Sequence, residues 1–272
     1  MKQFILDTGP DQNGQVRLDG DSYRYLVRVR RLAPGEYFPA LLPGGAEASV
    51  RVLSVDSRVL VGEIIQDDVG EHRRGEHRRG GARAHPLPPI MLLQALPKGD
   101  KMDLIVRQAA EGALDEIVPF ISEFSVARVR GDGGQRLARW QRIIREARQQ
   151  SGSAVATQVR GTESMDGIFA YWEQVQARWP DALGLLLHHQ PLANGSLHRY
   201  LGKSRQDSGP GAVAMAIGPE GGFSPAEAQR FLAAGFMPFT IGDTVLRVET
   251  AALYAQAAVR VLLAERDSWE TR

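Results

Sequence analysis

Between Gly218 and Phe223 the chain reads GPEGGF, packing three glycines, a proline and a carboxylate between an apolar run and a helix start. The run before it, Ala212 to Ile217 (AVAMAI), is short and continuous, as in a strand buried on both faces of a parallel sheet. Ser224 and Pro225 read as an N-cap and first helical residue, and Glu227, three residues after Ser224, closes a capping box. The glycines therefore sit at the carboxyl end of a buried strand, where open α/β sheets place their ligands. Glycine there lets the backbone approach a bound molecule and present N–H groups to it with no side chain in the way. Any strand-to-helix turn favours Gly and Pro, which accounts for one or two of these residues but not for GPEGG together. A second cluster, Ile241-Gly242 followed by Leu246-Arg247-Val248-Glu249-Thr250, again joins a strand end to a helix start. Glu249 and Thr250 stand where they would cap the last helix or hold a ligand.

The elements that position these clusters fall into two textures. Residues 1–70 read as short strands divided by turns, at Val16 to Leu18, Tyr25 to Val29, Tyr37 to Leu42, Ala48 to Val55 and Val59 to Ile65, which predicts a small β-barrel or sandwich. Residues 71–89 read as a linker, polar and rich in Gly and Pro, in which Glu71 to Gly75 (EHRRG) recurs as Glu76 to Gly80. Residues 90–272 alternate strands and helices, the pattern of an α/β domain with a parallel sheet. Strands are expected at Ile90 to Leu96, Ile117 to Phe120, Leu183 to Leu187, Val213 to Ile217 and Phe239 to Ile241. Helices are expected after Asp100, over Leu137 to Gln150, Met165 to Trp179, Pro225 to Ala234 and Glu249 to Ala264. Neither GxGxxG nor GxxxxGK[ST] occurs, so the glycine turn is not that of a Rossmann or P-loop nucleotide site.

Composition narrows the chemistry further. The 272 residues carry 43% hydrophobic content, enough for two cores, and no run approaches the roughly 18 apolar residues of a membrane span. With no signal-like start, a protein of the cytoplasm without membrane attachment is expected. The absence of cysteine excludes disulfides, thiolate metal sites and cysteine nucleophiles, and no metal role is expected for the histidines. The net charge of +1 hides clustered arginines: Arg28, Arg30 and Arg31 near the start, and Arg139, Arg142, Arg145 and Arg148 at three-residue spacing on one helix.

Five segments together, YRYLVRVRRLAPGE, ALPKGDKMD, WQRIIREARQQS, AIGPEGGFSPAEA and LRVETAALYA, resemble the RsmE family, the small-subunit ribosomal RNA uridine N3-methyltransferases. The resemblance spans essentially the whole chain. It implies an N-terminal PUA-like barrel for RNA and a C-terminal SPOUT methyltransferase domain with a deep trefoil knot, in a homodimer that binds S-adenosylmethionine. On that pattern the cofactor loops are Leu187 and His188 at one strand end, Gly218, Pro219, Glu220, Gly221 and Gly222, and Ile241, Gly242, Leu246, Arg247, Glu249 and Thr250. Arg247 is the expected catalytic cation, stabilising a uracil that has lost its N3 proton. His188 or His189 is placed to act as base, with a solvent-facing loop position as the alternative.

For a protein similar to a ribosomal RNA enzyme, Arg28, Arg30, Arg31, Arg139, Arg142 and Arg145 are expected to contact phosphates. The chain also departs from the family pattern. Tyr25 replaces a histidine, Ser153 and Thr244 stand where arginines are usual, and Gly112 appears inside an expected helix at a cost of about 1 kcal/mol relative to alanine. The lost cations bear on the RNA target and leave GPEGG untouched. An RNA-binding homologue without turnover, or a same-fold enzyme with another RNA target, are the alternatives.

Overall fold

Alternation of inward and outward residues builds the N-terminal sheet of the computed structural model, which describes residues 4–43, 46–65, 87–125, 133–189, 196–202 and 209–269. Strands Phe4–Ile5 (β1), Gln15–Leu18 (β2), Tyr37–Leu41 (β3), Glu47–Val55 (β4) and Leu60–Ile65 (β5) pair in the order β1-β3-β4-β5-β2. Only β1 and β3 are parallel; the remaining pairs are antiparallel. Phe4, Val16, Phe38, Val50 and Leu60 point into one core with Tyr23 and Leu26. Four strands lie where patterning predicts them, and β1 is too short to have shown a pattern. The repeated pentad and most of the expected linker lie outside the described residues.

Tyr25 to Val29 is not a strand. A short helix, Gly20–Tyr23 (α1), runs directly into a π-helical turn over Arg24–Val29. Tyr23 and Leu26 are buried at helical spacing while Val29 is 69% exposed, a pattern that an alternating strand does not produce. The turn closes through Arg30 N–H to Tyr25 O at 2.9 Å, and Arg31 ends it at φ 57°.

The second sheet is parallel throughout. Its strands are Ile90–Ala95 (β6), Glu116–Phe120 (β7), Gln158–Val159 (β8), Leu183–Leu187 (β9), Val213–Ile217 (β10) and Met237–Phe239 (β11), in the order β11-β9-β10-β6-β7-β8. Every residue of β6 and β10 is buried, as in strands covered on both faces; β10 is wholly apolar and β6 carries one polar residue, Gln94. Side chains alternate between two cores. Leu92, Ile117, Leu185 and Met215 meet helices Lys101–Glu111 (α2), Gly133–Ser151 (α3), Leu197–Gly202 (α5) and Val248–Trp269 (α7). Leu93, Val118, Leu186 and Ala214 face Met165–Arg178 (α4) and Pro225–Ala233 (α6) on the other side. The chain divides into two compact units, Met1–Ala84 with Arg148–Ala156, and His85–Ala147 with Thr157–Arg272. Among the described residues no helix is long and apolar enough to cross a membrane.

Two local expectations are corrected. The strand expected at Phe239 to Ile241 is Met237–Phe239, because its register with β9 ends at Phe239 opposite Leu187. Gly112 caps α2 from outside and is not in its interior, so the helix-interior penalty does not apply. The left-handed position belongs to the next residue, Ala113, at φ 54°, with Leu114 N–H bonded back to Ala109 O at 3.0 Å as helix-ending motifs require. Ala113→Gly relieves that conformation, and glycine's larger entropy loss offsets only part of the gain, so a stabilisation of about 0.5 to 1 kcal/mol is expected. Thermal and denaturant unfolding of the full chain measure it; a loss of stability contradicts the account.

Candidate functional site

The carboxyl ends of β9, β10 and β11 are neighbours in the sheet, so the three loops that follow them converge. Between them lies a cavity of about 560 Å³. Leu187, His188, Gly218, Pro219, Glu220, Gly221, Gly222, Ile241, Gly242, Leu246 and Arg247, all expected around a ligand, line it. Glu249 and Thr250 do not; in the first turn of α7 it is Val248 and Ala251 that line the cavity. Lys101, His189, Ile217, Phe223, Thr240, Thr244, Val245, Val248 and Ala251 complete the wall.

The turn after β10 owes its shape to missing side chains. Gly222 N–H bonds to Pro219 O at 2.9 Å, closing the turn, with Gly222 at φ 70°. A Cβ on Gly218 would lie 2.9 Å from the carbonyl carbon of Gly222, so the two ends touch backbone to backbone. A Cβ on Gly221 would instead meet Phe124 Cβ at 3.0 Å. The capping box anchors the far side: Ser224 Oγ accepts from Glu227 N–H at 3.3 Å, and Glu227 Oε2 accepts from Ser224 N–H at 2.9 Å. The other oxygen of this buried carboxylate accepts from Glu123 N–H at 2.7 Å and ties in the loop after β7. On the near side, buried Gln94 at the end of β6 donates to Ala95 O at 2.9 Å and to Ile217 O and Gly218 O at 3.4 Å.

Charge concentrates at one wall. Glu220 Oε1 takes the Lys101 ammonium at 2.5 Å, and Lys98 N–H reaches its two oxygens at 3.1 and 3.2 Å. Burial pushes the Glu220 carboxyl up, but the hydrogen bonds from Lys101 and the backbone, with the ammonium's charge, outweigh it and hold the group below its ordinary value. Lys101 Nζ also lies 4.0 Å from Glu249 Oε2. Patterning marks the ALPKGDKMD segment but assigns Lys101 no part. The missing information is the pairing of β6 with β10, which brings the loop after β6 to the turn.

His188 and His189 stack with ring centroids 4.6 Å apart at the cavity wall. Arg247 is exposed on the lining and has no ion pair among the described residues. The other arginines lie elsewhere. Arg28 and Arg31 are exposed and Arg30 half-buried on the helical segment of the first unit. On α3, Arg139 is paired with Asp103, which also accepts from Trp140 Nε1 at 3.1 Å, and Arg142 lies 4.0 Å from Glu146. Arg145 is exposed. Among the described residues no group of His, Asp or Glu is arranged to hold a metal ion.

Comparison with known proteins identifies the family. A family model described as an RNA methyltransferase domain matches residues 83–260. The chain is 30% identical to Ribosomal RNA small subunit methyltransferase E of Mycobacterium bovis, over 97% of this chain and 93% of that protein. It is also 30% identical to the protein of that name from Synechocystis, over 96% and 78% respectively. The solved structure of Ribosomal RNA small subunit methyltransferase E from Neisseria gonorrhoeae bound to S-adenosyl methionine matches with a TM-score of 0.74 at 28% identity, covering 96% of this chain and 98% of that one.

Two outcomes follow from the geometry. Gly218→Ala must push backbone against backbone and is expected to cost about 1–3 kcal/mol, whereas Gly221→Ala displaces only the exposed Phe124 and should cost less. Denaturant unfolding ranks them, and equal stability of the two variants contradicts the tight closure. For Glu220, a folded pKa below the unfolded one means a contribution fully present above the unfolded value and lost as pH falls through the folded one. The melting-temperature advantage of wild type over Glu220→Gln should hold from neutral pH down to about 4.3 and shrink below it. An advantage that shrinks already at higher pH contradicts the pairing with Lys101.

Proposed function

The chain belongs to the ribosomal RNA small subunit methyltransferase E family, built on the RNA methyltransferase domain, and from that premise we propose that it methylates N3 of a uridine in small-subunit ribosomal RNA, with S-adenosylmethionine as donor. The observation that carries the reading is the cavity at the ends of β9, β10 and β11, whose wall includes the bare main chain of the 218–222 turn. Its residues fit such a molecule. Leu187, Ile241, Leu246 and Val248 offer an apolar wall for a flat base, and the glycines of the 218–222 turn leave backbone groups accessible to ribose and amino-acid polar atoms. When bound, the cofactor supplies a methyl group already activated by its sulfonium.

The protein's own work is then small. It must hold the uridine nitrogen in line with the methyl group and help the N3 proton leave. Arg247, exposed on the cavity lining and without an ion pair among the described residues, is assigned to stabilise the negative charge on the uracil. His188 or His189, after the neighbouring strand β9, is assigned to accept the proton.

The remaining assignments extend the same reading. The five-stranded sheet of the first unit is taken as a PUA-like barrel with Arg28, Arg30 and Arg31 toward RNA, and the three cavity loops as the strands' passage through a trefoil knot. Arg139, Arg142 and Arg145 on α3 complete the proposed phosphate contacts. A homodimer is supported by α7, which leaves Tyr254 and Val261 exposed seven residues apart, on one helix face. The site of action is the cytoplasm. Thr244, where the family pattern has arginine, lines the cavity and favours a second reading in which a different RNA is the target.

The test incubates the full chain with methyl-labelled S-adenosylmethionine and small-subunit particles lacking the modification, then maps the label by mass spectrometry. Label on N3 of one uridine is expected. Label on another nucleotide gives the second reading, and RNA captured without label makes the protein a binder. Gly221→Val is expected to abolish calorimetric binding of the cofactor while leaving the fold largely intact; undiminished affinity removes the turn from the pocket.

A further inference from the structure

We propose that Lys101 is a positioning residue that locks two walls of the cavity together, the 218–222 turn and the first turn of α7. The inference rests on the reading of the cavity as the methyl-donor site. Lys101 opens α2, and its ammonium stands between carboxylates from two distant segments, 2.5 Å from Glu220 Oε1 and 4.0 Å from Glu249 Oε2. It is itself part of the cavity lining.

The two carboxylates are in unlike positions. Glu220 has both oxygens engaged, by Lys101 and by Lys98 N–H, so it works as part of the wall and has little capacity left for a ligand. Glu249 Oε2 is buried and has no hydrogen-bond partner. The nearby ammonium is the charge that makes that burial tolerable. Without it, two carboxylates face each other across the wall, one of them buried and uncompensated, and repulsion drives the turn and α7 apart. A lone surface lysine paired with one glutamate would have no such effect. The consequence here comes from bridging two loops that must both touch the same ligand.

Calorimetric binding of S-adenosylmethionine to the full chain tests the lock, together with steady-state KM values for each substrate. Lys101→Met is expected to weaken cofactor binding about tenfold, the scale of a lost charged hydrogen bond, and to raise the KM for the cofactor while leaving the KM for RNA unchanged. Lys101→Arg should restore most of the affinity, because a cation of similar reach still spans both carboxylates. Combining Lys101→Met with Glu220→Gln should cost no more than Lys101→Met alone, since one interaction is removed by both changes. Undiminished binding by Lys101→Met, additive losses in the double variant, or no rescue by arginine each overturn the lock. Absence of cofactor uptake by the wild type overturns the reading of the cavity itself.

Discussion

The structure depends on one steric fact, that the chain after β10 doubles back until Gly218 and Gly222 touch through their backbones. A side chain at the first position would force backbone to shift, and the second is held at a positive φ. This closure fixes where α6 begins, and the reciprocal bonds between Ser224 and Glu227 hold that start in place. Glu227 then anchors the loop after β7 through Glu123, while Gln94 anchors the turn to β6. The turn and the helix start beside it are thus tied to β6 and to the loop after β7, and the cavity is built against that fixed corner.

Electrostatics adds a second constraint, weaker per interaction but placed at the seam between loops. An exposed ion pair contributes little, because water screens it and two side chains must be ordered to form it. The Lys101 cluster differs in being partly shielded and in drawing its members from three segments of chain. Arg139 shows the contrast: held by Asp103, which also bonds Trp140, it fixes α3 to α2 and so has much of its charge spent on packing. Arg247 forms no ion pair among the described residues and lies exposed on the cavity lining, where the proposed chemistry would place a developing anion.

Much of this was legible from residue order. The all-apolar run gives β10 and the nearly apolar run from Ile90 gives β6, the capping box gives the start of α6, and GPEGG with LRVET marks two of the three loops. What patterning missed was set by contacts remote in sequence. Tyr25 to Val29 has the composition of a strand, and only the burial of Tyr23 and Leu26 in one core makes it helical. β1 and β8 are two residues each, shorter than any period can reveal, and exist because a neighbouring strand offers hydrogen bonds. Lys101 is invisible for the same reason: its place beside Glu220 follows from strand order, and no local signal encodes which strands are neighbours.

The division of labour between backbone and side chains suits the proposed chemistry. A sulfonium methyl group needs little activation, so most of the rate advantage available to a protein lies in alignment. Alignment is best served by groups that do not reorganise, and main-chain N–H groups on a closed turn have no rotamers to search. Side-chain charge is then most useful away from the methyl group, at the nucleobase where a proton leaves and at the seam where loops meet. The cavity has this distribution: glycine and apolar side chains at the strand ends, Arg247 exposed on the lining, and the Lys101 cluster at one wall. On the proposed reading, variation in RNA target can therefore proceed through exposed positions such as Thr244 while the closed turn stays unchanged.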